Sequence, residues 1–125
     1  MATHDLEFLR DKLRQFTAER EWQRFHSPKN LSMALSGEAG ELLEHFQWLT
    51  EEESQNLSPQ TRREVELELA DILLYLICIA DRLDVDLLDA AACKIELNAK
   101  KYPADQVRGS ASKYTEYKKK HSEAE

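Results

Sequence analysis

Apolar residues recur along this chain with a helical period, and no stretch alternates polar and apolar over a strand length. Leu6, Leu9, Leu13 and Phe16 form one stripe, which predicts a first helix over residues 5–25. Ser27 to Asn30 reads as a loop or a helix start. Leu31, Leu35, Leu42, Phe46 and Leu49 predict a second helix over residues 30–49. An acidic linker, residues 50–57, follows. Ser58 before Pro59 is a helix start, serine at the N-cap and proline in the first turn. Val65, Leu69, Ile72, Leu76, Ile79 and Leu83 carry the third helix. Near its middle it is apolar almost all round, so it is expected to be the central, most buried helix. Asp84 to Asp86 reads as a turn and cap. A fourth helix runs to about Lys101 and stops before Pro103. From Ala104 the chain is polar and lysine-rich, and is expected to be extended or mobile. The reading is all-α: a four-helix domain over residues 1–103 and a polar tail over 104–125.

Composition narrows the possibilities. The length of 125 residues suits one domain with a core. Hydrophobic residues make up 42% and charged residues 33%, which excludes a disordered chain. The apolar run 72–80 is too short to span a bilayer, and no basic-then-apolar leader opens the sequence. Cys78 and Cys93 lack CxxC spacing, which fits a reduced, cytosolic setting. The net charge of -7 argues against a nucleic-acid partner. An anionic small molecule stays open, provided a metal and local lysines offset the acidic field.

Two acidic pairs change the picture most. Glu38 and Glu41 lie three residues apart on the second predicted helix, and Glu68 and Asp71 on the third. Residues at this spacing share a helix face. Such pairs are common on solvated faces, but Glu38 interrupts the stripe between Leu35 and Leu42, and Glu68 that between Val65 and Ile72. A carboxylate there is costly to bury without compensation. Four carboxylates from two packed helices would suit a hard divalent cation, Mg²⁺ above all, and so chemistry on phosphates. A di-iron bundle would need two Glu-x-x-His motifs, and His4, His26, His45 and His121 complete none. Gly37 and Gly40 each cost a helix about 1 kcal/mol against alanine, which predicts close approach of a helix or ligand.

Trp22, Phe25, Trp48 and Tyr75 lie close in sequence to an acidic pair or a helix end. Core packing accounts for most aromatics, but rings so placed could also stack on a nucleobase. Lys94, Asn98, Lys100, Lys101 and Tyr102 gather at the end of the fourth helix. They suit either the helix dipole or a grip on phosphates.

These residues together resemble the MazG-like, all-α nucleoside triphosphate pyrophosphatases, and the dCTP pyrophosphatase branch among them. The matching segments run from Glu19 to His26, Pro28 to Leu31, Gly37 to Trp48, Glu68 to Tyr75, Val85 to Leu87, Lys94 to Pro103 and Ser112 to Glu116. The resemblance implies hydrolysis between the α- and β-phosphates, giving a monophosphate and pyrophosphate. It implies Mg²⁺ held by Glu38, Glu41, Glu68 and Asp71. It implies base and sugar contacts from Trp22, Phe25, His26, Trp48 and Tyr75, and places Asn30, Lys94, Asn98, Lys101 and Tyr102 on the phosphate side. It also implies a tetramer with sites between subunits. Leu13 stands where vertebrate members carry a histidine, and the linker 50–57 is shorter than theirs.

The expectation is therefore a cytosolic, Mg²⁺-dependent pyrophosphohydrolase of dCTP or modified dCTP, with Glu41 as the base and a role in nucleotide pool control or housecleaning. The rival from another class is a non-catalytic helical oligomerisation module whose acids make contacts between subunits.

Overall fold

A computed structural model describes residues 4–110. The described residues form α1 (Leu6–Glu19), a 3-10 turn (Gln23–Phe25), α2 (Pro28–Glu44), α3 (Glu51–Ser54), α4 (Pro59–Arg82), α5 (Leu87–Lys101) and α6 (Ala104–Val107). There is no strand among them. The chain divides into two compact units, Met1–Val85 and Asp86–Glu125.

The helix starts follow side-chain capping, as the sequence implies. Asp5 accepts from the Phe8 N–H at 2.8 Å, Ser27 from that of Asn30 at 3.1 Å, and Ser58 from that of Thr61 at 3.2 Å. In the second unit Asp86 accepts from the Asp89 N–H at 3.0 Å. Each satisfies an amide that the first helical turn leaves unpaired.

Four features differ from expectation. The first helix does not reach Phe25: it stops at Glu19, and Glu21 adopts a left-handed φ of 53°. The Glu21 N–H donates to Ala18 O and the Trp22 N–H to Thr17 O, both at 3.1 Å, a Schellman stop. Glycine usually marks such a stop, and here a glutamate occupies it. Asp84, with φ 54°, closes α4 in the same way. The second helix ends at Glu44 rather than near Leu49, through i→i+3 bonds at His45 and Phe46. The acidic linker is itself partly helical. Thr50 and Glu53 form a reciprocal capping box, with bonds of 2.9 and 3.1 Å, that starts α3. Residues 104–107, expected to be extended, form α6. The rest of the expected tail, from residue 111, lies outside the described residues.

In the first unit α4 packs against both α2 and α1. The buried apolar residues are Leu31 from α2 and Val65, Ile77 and Ala80 from α4. The expected central helix is thus α4, but it is not covered all round. Leu67, Leu69, Leu73 and Leu76 remain exposed, because two neighbours cannot surround a helix that is apolar on every side. No residue crowds Gly37 or Gly40: a Cβ built at either would meet nothing within 4 Å. The close approach expected there does not occur among the described residues. Among the described residues no helix is long and apolar enough to cross a membrane.

Candidate active site

Packing of α2 on α4 turns the two acidic pairs toward each other. One carboxylate oxygen from each of Glu38, Glu41 and Glu68 lies within 4.8 Å of the other two. Glu38 and Glu68 are half-buried, and Glu41 is exposed at the edge. Asp71 falls outside this group of three. It is exposed one turn further along α4, yet its charge still acts on Glu38.

The cluster is electrostatically unsatisfied. Glu38 Oε2 and Glu68 Oε2 are both buried without a hydrogen-bond partner among the described residues. As carboxylates they can only accept, so neither answers the other. A proton on one of them would let it donate, and the Glu38 carboxyl is accordingly pushed up from its ordinary 4.5 to about 7. The hydrogen bond to Glu68 contributes most, then burial, then the charges of Glu41, Glu68 and Asp71. A divalent cation would answer the same deficit. Oxygen donors alone suit a hard ion such as Mg²⁺, so this cluster fits one.

Beside the acids lies a cavity of about 500 Å³, within the size range of small-molecule sites. Leu9, Leu13 and Phe16 of α1 form one wall, and Asp71, Leu74 and Tyr75 of α4 the other. Trp22 and His26, held by the 3-10 turn, close one side. Trp22 meets Phe16 edge-on, with ring centroids 5.8 Å apart. Asp71 and Tyr75 tie the cavity to the acids: the Tyr75 hydroxyl is pushed up by burial first, and then by the charges of Glu38 and Asp71.

Four of the sequence-predicted residues, Trp22, His26, Asp71 and Tyr75, therefore come together around one cavity. Phe25, Asn30 and Trp48 do not line it. Phe25 is half-exposed, with the Arg24 guanidinium 4.8 Å from its ring centre. Asn30 donates from its side-chain amide to Phe25 O at 3.0 Å, which ties the 3-10 turn to α2. Trp48 is 86% exposed, so it is no part of this chain's core. Lys94, Asn98, Lys101 and Tyr102 belong to the second unit. Lys94 and Asn98 share a face of α5, and the Tyr102 N–H closes that helix on Asn98 O at 2.9 Å.

The sequence alone assigned no place in the site to Thr17, Cys78, Arg14 or Asp81. Thr17 is buried on α1 and lines the cavity, as does Cys78. Arg14 grips Asp81 with two hydrogen bonds, of 2.9 and 2.5 Å, joining α1 to α4 beside a second cavity of about 310 Å³. One signal was present: Asp81, like Glu68, interrupts an apolar run.

The profile of the MazG-like family matches residues 33–117. The chain is 49% identical over 113 residues to dCTP pyrophosphatase 1 of Bos taurus, covering 89% of this chain and 67% of that protein. It is 47% identical to dCTP pyrophosphatase 1 of Homo sapiens, covering 66% of that protein. This chain thus spans about two thirds of the length of these relatives, 67% and 66%. The crystal structure of a pyrophosphatase from Archaeoglobus fulgidus superposes with a TM-score of 0.76 at 39% identity, covering 82% of this chain and 96% of that one.

Proposed function

This chain belongs to the MazG-like family, and on that premise we propose that it is a nucleoside triphosphate pyrophosphatase. It hydrolyses (d)NTPs, dCTP or modified dCTP foremost, to a monophosphate and pyrophosphate. The observation that carries this reading is the pair of orphaned buried oxygens, Glu38 Oε2 and Glu68 Oε2, beside an aromatic-walled cavity. A purely structural cluster of this kind would gain from a lysine or arginine, and among the described residues none pairs with it.

Glu38, Glu41, Glu68 and Asp71 would hold Mg²⁺, which would supply screening of phosphate charge and polarisation of a water. Glu41, exposed at the edge of the cluster, takes the proton from the attacking water as the water oxygen bonds to the α-phosphorus. The α–β bridging oxygen then leaves with pyrophosphate. Trp22, His26 and Tyr75 enclose the base, with Phe25 and Trp48 as further base and sugar contacts. Asn30, Lys94, Asn98, Lys101 and Tyr102 act on the phosphates. The pyrophosphohydrolase domain spans residues 1–103, followed by a polar tail over 104–125. The exposed Leu67, Leu69, Leu73 and Leu76 support assembly into an oligomer, a tetramer before a dimer, with exposed Trp48 available to a neighbouring copy. Removal of damaged nucleotides and control of the pool both fit this chemistry.

Pyrophosphate release from a nucleotide panel, with Mg²⁺ or with chelator, tests the reading. We expect turnover of dCTP that depends on Mg²⁺. Absence of turnover on every nucleotide, in a folded protein with Mg²⁺ present, overturns it and leaves the oligomerisation module. Light scattering that reports 14.5 kDa at micromolar concentration would remove the oligomer.

A further inference from the structure

We infer that Thr17 reads the hydrogen-bonding edge of the base and is a specificity-determining residue of this site. The inference rests on the proposed function, because it takes the cavity to hold the base of a nucleotide.

Thr17 is buried, at 9% exposure, and is the one buried polar side chain among the described residues. Its backbone carbonyl is occupied, accepting from Arg20 and Trp22 in the stop of α1. Its hydroxyl has no hydrogen-bond partner among the described residues. Helical threonines commonly return that hydroxyl to a carbonyl three or four residues back, and this one does not. The buried oxygens left without a partner are Glu38 Oε2 and Glu68 Oε2, so the Thr17 hydroxyl, unpaired within the protein, is still accessible from the cavity that it lines. A hydroxyl accessible from a cavity and unclaimed by the fold is free to pair with a ligand.

Its position says which part of a ligand that is. Thr17 lines both the cavity of about 500 Å³ and the adjoining one of about 310 Å³. The two share Leu13, Thr17, His26 and Cys78, so Thr17 lies at their seam. The phosphates belong at the acid cluster. From there, Asp71, Tyr75 and Cys78 step along α4 by about a turn each, toward that seam. A nucleotide with its phosphates at the acids thus directs its base toward Thr17 across the Tyr75 ring. The surrounding Leu9, Leu13, Phe16 and Leu74 offer the base only apolar contact. The polar groups at the seam are those of Thr17, His26 and Cys78, so a polar base edge seated there loses one of few partners when the hydroxyl is removed.

The test pairs a variant with a base analogue. Thr17→Val keeps the shape and removes the hydroxyl, and Thr17→Ser restores a hydroxyl. The probes are dCTP and the deoxynucleoside triphosphate of difluorotoluene, an apolar pyrimidine isostere. For dCTP, Thr17→Val should lose about 3- to 10-fold in kcat/KM, the range for one hydrogen bond, mostly through KM. Thr17→Ser should recover most of that loss. For the apolar isostere, wild type and Thr17→Val should be alike. The melting temperature of Thr17→Val should be unchanged or raised, because no partner inside the protein is lost. An equal loss on both probes, a lowered melting temperature that tracks the loss, or no loss on dCTP each overturns the inference. If wild type turns over no nucleotide, the proposed function falls and takes this inference with it. If wild type is active without the differential loss, only the inference falls.

Discussion

Helix α4 carries interhelical carboxylates at two places, and the protein treats them oppositely. Toward its C-terminal end, Asp81 meets Arg14 of α1 through two hydrogen bonds, and this guanidinium holds the Asp81 carboxyl below its ordinary range. Earlier along the same helix, Glu68 meets Glu38 of α2, another acid, and the Glu38 carboxyl rises to about 7. Both places need a carboxylate neutralised against a neighbouring helix. Among the described residues an arginine answers one, and no basic side chain pairs with the other. Asp81 is thereby a finished structural contact, whereas the cluster of Glu38, Glu41 and Glu68 leaves two buried oxygens that a proton or a cation would answer. A deficit left open beside a cavity is what a functional site looks like before its ligand arrives.

The largest expected effect lies at the open end. Glu41→Gln should cost about 10²–10⁴ in kcat if Glu41 takes the proton of the attacking water, with helical content intact by circular dichroism. Glu68→Gln should also abolish Mg²⁺-dependent turnover, but it should raise the melting temperature of the metal-free protein, because it relieves Glu38. Full turnover in either variant would remove that residue from the site. A Glu68→Gln protein that melts earlier without metal would show the cluster to be satisfied after all.

The pH dependence of stability sharpens the contrast. Glu38 has its folded value raised from 4.5 to about 7, so the native state holds an extra proton between them. The metal-free protein should therefore lose stability as pH rises across that interval. Asp81 has its folded value below the ordinary 3.8, so its contribution is present above that value and lost as pH falls through the folded one. Melting curves in chelator should rise from about pH 7.5 to about pH 5 and fall again in stronger acid. Mg²⁺ should restore stability at the neutral end. A metal-free curve that is flat or rising toward neutrality would break the comparison.

Smaller effects belong to the closed end. Asp81→Asn should lower the melting temperature by about a few degrees, less at high salt, because Arg14 is largely exposed and its pairing is screened. Metal-dependent turnover should survive it. Trp48→Ala should change stability by less than about 0.5 kcal/mol, as at other exposed positions. A drop in dCTP turnover in that variant would then report a contact to nucleotide or to a neighbouring copy.

The sequence by itself determined the helices, their starts and the facing of the acids. Capping residues act within one turn, and an i, i+3 pair shares a face wherever its helix packs. Glu38, Glu41 and Glu68 were legible because acids that interrupt apolar stripes must be compensated. Less was legible where the deciding interaction is local but unmarked. The stop of α1 uses Glu21 in a left-handed conformation, without the glycine that usually announces it. The start of α3 was written in Thr50 and Glu53, but hidden in what read as a linker. Only the tertiary structure could decide the rest. Arg14 and Asp81 are 67 residues apart, so nothing in either neighbourhood pairs them. The same holds for the cavity, whose walls come from α1, the 3-10 turn and α4. Packing set Asp71 on the cavity wall rather than among the three clustered acids, and left Trp48 exposed. Thr17 became conspicuous only after the fold had placed it where two cavities adjoin.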